Sequence, residues 1–479
     1  MHRALLVSEI LVQIFDNLSQ PPISEILDTW LPSSTGKSLA SLALTCTTFH
    51  ELAMDLLWCN MLGLRPLLGC VTRLHSVVYD SESVYDRDWS EDVDPLVEHE
   101  FHQFLRHSAR VRNISISATK FLHLLTTLPI ETCVFPNLRS LSWLVQCTEI
   151  GDLRFFLPPT LRSCYHISEE LQLDMKYIGA RCPDMEEFTV YGGSGGVRLS
   201  ETLRSCKRLK HLQYPPFDST AWMHLSTIPT LLEVNIFTSR MIHYPGPLDN
   251  LDFATFLHLT TLSLSGGIEA ASVVAIIQHF KFPSLKKFKV HVRVLPWAEA
   301  EQLFRALSLC KASWQTLEHI IISSRNKTQE HTSDSLTAVR QFFCFKELRT
   351  LRIYVHRPIY LDDDLLFEAM TTWPHIRLAS FSNYHYISRL QELQVLVDAR
   401  NIDIAPEVES FQHTSLRNLA VDSCELEAVN VEAVARIIYS MLPAVSQVIY
   451  SDDGVPRSLH NVNKHLDLLR NKPSSAPDQ

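Results

Sequence analysis

Glycine is scarce in this sequence, at 13 residues in 479, where a typical chain has about 7%. Tight glycine turns and phosphate-cradling loops are correspondingly few. Gly36-Lys37-Ser38 has the closing residues of a phosphate loop, but Leu31 stands where that loop needs its first glycine, so the segment reads as a linker and helix start. The run Gly192-Gly193-Ser194-Gly195-Gly196 lacks the G-x-G-x-x-G spacing of a dinucleotide site and reads as a turn. The eleven cysteines include no CxxC pair, which argues against a zinc ribbon or a dense disulfide framework. No HExxH occurs. No apolar run approaches the roughly 18–20 residues that span a bilayer. The N-terminal stretch carries Glu9 inside its apolar residues and has no small-residue cleavage site, so it does not read as a signal peptide. The expectation is a reduced protein of the cytoplasm or nucleus, without membrane or cofactor.

Excess positive charge is also missing. The net charge is −10, and nine acidic residues against one basic, Arg87, lie between Asp80 and Glu100. The rest is near neutral, which disfavours a nucleic-acid-binding surface. What the chain does have is apolar residues, 46% of the total, enough for a core too large for one ordinary domain.

Those residues recur in one frame: an apolar position, then others three and five residues later. It runs through Val111-Ile114-Ile116, Leu138-Leu141-Trp143, Leu161-Cys164-His166, Met185-Phe188-Val190, Leu209-Leu212-Tyr214, Leu231-Val234-Ile236 and Leu259-Leu262-Leu264. It continues through Leu285-Phe288-Val290, Leu317-Ile320-Ile322, Leu348-Leu351-Ile353, Ile376-Ala379-Phe381, Leu416-Leu419-Val421 and Val445-Val448-Tyr450. The mean period is about 28 residues. Three places before most of these units sits a large or buriable residue, among them Phe135, Cys182, Cys206, Phe256, Phe282, Trp314, Phe345 and Trp373. These are expected to stack between neighbouring repeats, and the cysteines Cys182, Cys206 and Cys310 read as small core residues.

In a short strand the second and third apolar positions of each unit share one face. Helical spacing at 269–280, 298–310, 362–373 and 432–442 supplies the other layer. Asp362-Asp363-Asp364 reads as a helix start rather than a cation site. One strand and one helix cannot bury their apolar faces alone, but stacked copies can. The expected fold is therefore α/β, a solenoid of parallel strands. Its frame resembles the leucine-rich-repeat pattern L-x-x-L-x-L, although only Cys424 occupies the Asn/Cys position that follows. An insertion is expected near 393–410, where the spacing widens, and Leu459, Val462, Leu466 and Leu469 lie at capping-helix spacing.

Residues 5–64 read differently, as a bundle of about three helices with an apolar stripe through Leu6, Ile10, Ile14 and Leu18. Here Glu9-Ile10-Leu11, Ile14-Phe15, Leu42-Ala43, Cys46, Phe49 and Leu56-Leu57-Trp58 resemble the F-box family from Leu6 to Trp58. Val7-Ser8 replaces the usual proline, and residues 19–38 are inserted. Trp89, Phe104 and Arg110-Val111-Arg112 resemble the junction found in F-box proteins of mushroom-forming fungi. The resemblance implies an F-box-like domain at 1–64, an acidic junction at 65–107, a horseshoe solenoid at 108–455, and a capping helix with a disordered tail at 456–479.

It further implies a substrate receptor of a Skp–cullin–F-box ubiquitin ligase. Leu6, Ile10, Ile14, Phe15, Leu18, Leu42, Cys46 and Trp58 would bind the Skp adaptor and, through it, a cullin. The solenoid would hold a protein substrate. Alternating positions that point away from the core put Lys287, Lys289, His291, His319, Arg352 and Tyr354 on one face, a basic patch suited to an acidic or phosphorylated segment. A solenoid scaffold or inhibitor not linked to ubiquitination is the alternative, and a hydrolase or transferase with an unrecognised site is a third.

Overall fold

The structure, a computed structural model, describes residues 11, 13–14, 33–79, 93–117, 121–129, 132–145, 152–167, 176–191, 202–216, 218–238, 254–326, 336–355, 363–376, 378–380, 392–395, 418–421, 432, 435–436, 438–439, 447–450 and 457–470. The chain forms two compact units, Met1–Phe217 and Asp218–Gln479.

In the first unit the strands are β1 (Asn60–Leu62), β2 (Asn113–Ile116), β3 (Ser140–Trp143), β4 (Ser163–Ile167), β5 (Glu187–Tyr191) and β6 (His211–Tyr214). They pair in sequence order and in parallel, with Asn60 beside Asn113, Asn113 beside Ser140, Ser140 beside Ser163, Ser163 beside Glu187 and Glu187 beside His211. The same carbonyl in each repeat accepts two bonds from the next. Arg112 O takes the amides of Arg139 and Ser140, Arg139 O those of Arg162 and Ser163, and Arg162 O those of Glu186 and Glu187, at 2.7–3.0 Å. Both lone pairs are thus used, which fixes where each strand begins relative to its predecessor. The frame positions Ile114, Leu141, Trp143, Phe188, Val190, Leu212 and Tyr214 are buried, as are Phe135, Cys182 and Cys206 before them.

In the second unit lie β7 (Glu233–Thr238), β8 (Ala254–Thr255), β9 (Thr261–Gly266), β10 (Phe280–Lys281), β11 (Lys287–Val294), β12 (His319–Asn326), β13 (Thr350–Tyr354), β14 (Leu378–Ser380), β15 (Glu392–Val395), β16 (Asn418–Val421) and β17 (Gln447–Tyr450). The order β7-β9-β11-β12-β13-β14-β15-β16-β17 is parallel throughout, while β8 and β10 form a separate parallel pair. Helices Ser219–Ser226, Ala270–His279, Trp297–Leu309 and Asp363–Thr372 lie between strands. The expected α/β solenoid of parallel strands, leucine-rich-repeat-like in its frame, is the fold.

Four details differ from the sequence reading. Strand β1 adds a repeat that the frame did not count, ending at Gly63, whose φ of 74° favours glycine. Residues 392–395 form β15 where the expected insertion begins. Trp314 is only half-buried, unlike Phe282 and Phe345 at its equivalent position. A 3₁₀ turn at Lys311–Ser313 precedes it, and Ser313 takes the inward place, donating to Phe282 O at 2.7 Å. Within 65–107, the described part holds the helices Arg65–Leu68, His75–Tyr79 and Glu98–Leu105; most of the acidic window and the tail after Arg470 lie outside the described residues.

The helix Arg457–Arg470 closes the described sheet at its end. Asn463 stands beside the free edge of β17, its amide oxygen accepting from Val448 N and its Nδ2 donating to Val448 O, both at 2.9 Å. One side chain thereby stands in for a further strand. Asn463→Ala would leave two edge groups without these partners and is expected to cost about 1–3 kcal/mol. Faster hydrogen exchange at the Val448 amide would report it, and unchanged exchange would refute the capping role.

Candidate functional site

Two surfaces merit construction from their residues. The first is the N-terminal module. Helices Ser33–Ala43 and Thr47–Cys59 form a hairpin around Leu11, Leu39, Ala43 and Ala53, with Leu42, Phe49, Leu52, Leu56 and Leu57 packed partly against that core. The turn between them is short: Leu44 N donates to Ser41 O, and Thr45 Oγ1 donates to Leu42 O at 2.7 Å. That turn leaves Leu44 86% exposed, and Ile14 is 40% exposed. Of the residues assigned to adaptor binding, Leu42, Cys46 and Trp58 are half-buried; Leu6, Ile10, Phe15 and Leu18 lie outside the described residues.

The hairpin is braced on the first repeats. Trp58 stacks on His107, ring centroids 4.5 Å apart and 12° from parallel. Arg110, on the turn leading into β2, reaches back to the Glu51 carboxylate at 2.5 Å and to Asp55. The guanidinium holds the Glu51 carboxyl below its ordinary range. Sequence reading singled out Trp58 and Arg110 but none of their partners, His107, Glu51 and Asp55.

The second surface is the face of β7–β13 turned away from the core. Register places Lys287, His319 and Thr350 in one row, Lys289, Ile321 and Arg352 in the next, and His291, Ser323 and Tyr354 in the third. All six residues of the expected basic patch therefore come from three adjacent strands. Each is half-buried. His291 Nδ1 lies 2.6 Å from Ser323 Oγ. Burial, with the neighbouring Lys287 ammonium, pushes Lys289 below the ordinary lysine range; Glu233 opposes the shift and Arg352 adds to it. Phe237, 37% exposed on β7, was not singled out from the sequence as part of this patch.

Chemistry of other kinds finds little footing. Among the described residues no group of three His, Cys, Asp or Glu side chains is placed to hold a metal. Burial pushes the Cys182 and Cys206 thiols up to about 12 and Cys310 up to about 11, away from the thiolate a nucleophile needs. Gly192-Gly193-Ser194-Gly195-Gly196 also spells G-x-S-x-G, the string of a nucleophile elbow. It follows β5 but lies outside the described residues, and the string alone assigns no chemistry.

No family model matches the chain, and no curated protein matches it. Among solved structures it is similar to a Leptospira interrogans leucine-rich-repeat protein at 12% identity, covering 78% of this chain and 80% of that one with a TM-score of 0.35. The APL1 leucine-rich repeat domain is similar at 11% identity, with 78% and 89% covered and a TM-score of 0.35. The TLR13–ssRNA13 complex is similar at 12%, with 77% and 50% covered and a TM-score of 0.42. The assignment to the leucine-rich-repeat-like α/β class stands on strand order and register.

Proposed function

We propose that the chain is a non-catalytic receptor of a Skp–cullin–F-box ubiquitin ligase, acting in the cytoplasm or nucleus. The N-terminal module docks the Skp adaptor and the solenoid holds a protein substrate. The observation that carries this reading is the exposure of two large apolar side chains of the N-terminal module, Leu44 on the hairpin turn and Ile14 before it. Leu44 at 86% and Ile14 at 40% exposure belong to a segment whose residues resemble the F-box, and a partner covering them would remove apolar surface from water. Among the described residues no helix is long and apolar enough to cross a membrane.

The mechanism is proximity. Ubiquitin passes between other subunits and a bound substrate, and tethering raises the effective concentration of the two. The brace through Arg110, Glu51, Asp55, Trp58 and His107 ties the docking hairpin to the first repeats, so adaptor and first repeats move together. A scaffold or inhibitor unconnected with ubiquitination would need the solenoid but not the exposed tip.

Leu44→Asp tests this, because so exposed a side chain contributes little to folding. Co-purification with a purified Skp adaptor is expected to fall at least ten-fold, about 1.4 kcal/mol, with circular dichroism unchanged. Wild-type capture by Leu44→Asp and by Ile14→Asp alike would refute the adaptor reading and leave the scaffold.

A further inference from the structure

We infer that the face of β11–β13 binds an extended peptide segment rich in aspartate and glutamate, a substrate class that rests on the reading of the solenoid as a protein-binding surface. Three cations sit on this face, Lys287, Lys289 and Arg352, and none of them forms an ion pair among the described residues. Nearby rows hold matched charges: Lys286 and Arg349 share Glu318, and in the first unit Arg162 and Lys210 share Glu186. The contrast separates two neighbouring rows. One residue earlier on β11–β13, Lys286, Glu318 and Arg349 form ion pairs, whereas Lys287, Lys289 and Arg352 form none among the described residues.

A second observation points to a missing partner. Arg352 Nε is enclosed and has no hydrogen-bond partner among the described residues; an enclosed guanidinium donor left unsatisfied is costly. Lys289 is crowded by burial and by Lys287. An anion seated here would relieve both.

The backbone spacing suits an extended peptide. Lys287 and Lys289 are alternate residues of one strand, their backbone positions about 7 Å apart, and the Arg352 backbone lies two strands from that of Lys289, about 10 Å away. Three cations spread over that span meet several separate carboxylates of an extended peptide, whose alternate side chains repeat at about 7 Å. A long polyanion is opposed by the net charge of −10, while a short segment within about 8 Å responds to the local patch alone. His291, Ser323 and Tyr354 border the cations with hydrogen-bonding groups, and Ile321 and Phe237 supply apolar contact.

The test uses the full chain and a fluorescein-labelled peptide of four glutamates alternating with serine. Binding is expected to weaken at least ten-fold in K287E/K289E/R352E and several-fold in K287Q/K289Q/R352Q, the neutral set that keeps side-chain bulk. K281E/R305E/K311E, an equal charge change at exposed positions off this face, should bind as wild type does. The wild-type affinity should fall steeply between 50 and 300 mM salt, about as expected for screened charges. Equal loss in the control set, undiminished binding by the neutral set, or tighter binding of a singly phosphorylated peptide or single-stranded RNA of the same length would each overturn the assignment. Adaptor capture through Leu44 is read separately on the same variants, so a failed adaptor reading and a failed peptide site give different results.

Discussion

Phe256→Ala is expected to destabilise the second unit by about 3–5 kcal/mol, the usual range for removing a buried phenylalanine. Phe256 is the centre of an aromatic cluster between repeats: Trp222 meets it edge-on at 5.9 Å, Phe280 at 5.4 Å, and Phe282 stacks on it at 5.4 Å. All four rings are buried. Its amide also donates to Lys281 O at 2.9 Å, beside the β8–β10 pair. Because each repeat is held by its neighbours, the loss should spread to β9 and β11 rather than remain at one side chain. The adjacent Leu257 is 59% exposed, and Leu257→Ala should stay within about 0.5 kcal/mol. Urea unfolding with hydrogen exchange on β9 and β11 separates the two. Similar losses for both variants would mean that Phe256 is not the keystone of this packing.

Phe256 was visible in the sequence because it obeys the frame, and the frame is visible because repeating strands impose the same burial on the same positions. Where a unit departs chemically, visibility is lost. Strand β1 was missed because Gly63 stands in the last apolar place of its unit. Strand β15 was missed for a different reason: Leu390-Leu393-Val395 fits the frame, but it begins 14 residues after Ile376, half of the mean period. Trp314 fitted the frame and still left it, since the 3₁₀ turn before it moves Ser313 inward.

The candidate surfaces divide in the same way. Strand alternation alone puts Lys287, Lys289 and Arg352 on one face, so the patch was legible; which rows neutralise themselves was not, because that depends on cross-strand register. Thus Glu318 serves Lys286 and Arg349, whereas Lys287, Lys289 and Arg352 form no ion pair among the described residues. In the N-terminal module an apolar residue at helical spacing reads as core. Only the position of the turn turns Leu44 outward, and no periodicity locates a turn to one residue. The brace between Arg110 and Glu51 spans 59 positions of sequence, a distance over which spacing carries no information.

Acidification is expected to weaken the first unit between pH 6.5 and about 4 through one residue that breaks the frame. His166 occupies the inward position held by Trp143 and Val190 on the flanking strands. It is 1% exposed, and neither ring nitrogen has a hydrogen-bond partner among the described residues. Burial pushes its pKa down to about 4 from 6.5. The folded state therefore holds it neutral, while the unfolded chain takes up a proton as pH falls below 6.5. Stability is fully present above 6.5 and is lost as pH falls toward the folded value, by about 2 kcal/mol at pH 5 and about 3 kcal/mol at pH 4. Burial, Arg106 and Arg110 lower His107 too, which adds loss in the same direction. Carboxylates such as Glu100, held low by Arg73, act only below about 4.5. His166→Leu should flatten most of the decline between pH 7.5 and 5. It should also stabilise the unit by about 1–3 kcal/mol at pH 7.5, since it removes two unsatisfied buried nitrogens from a site built for an apolar side chain. Thermal unfolding of both proteins at the two pH values measures this. An equal fall in Tm for wild type and His166→Leu would show that the buried imidazole is not the origin of the acid sensitivity.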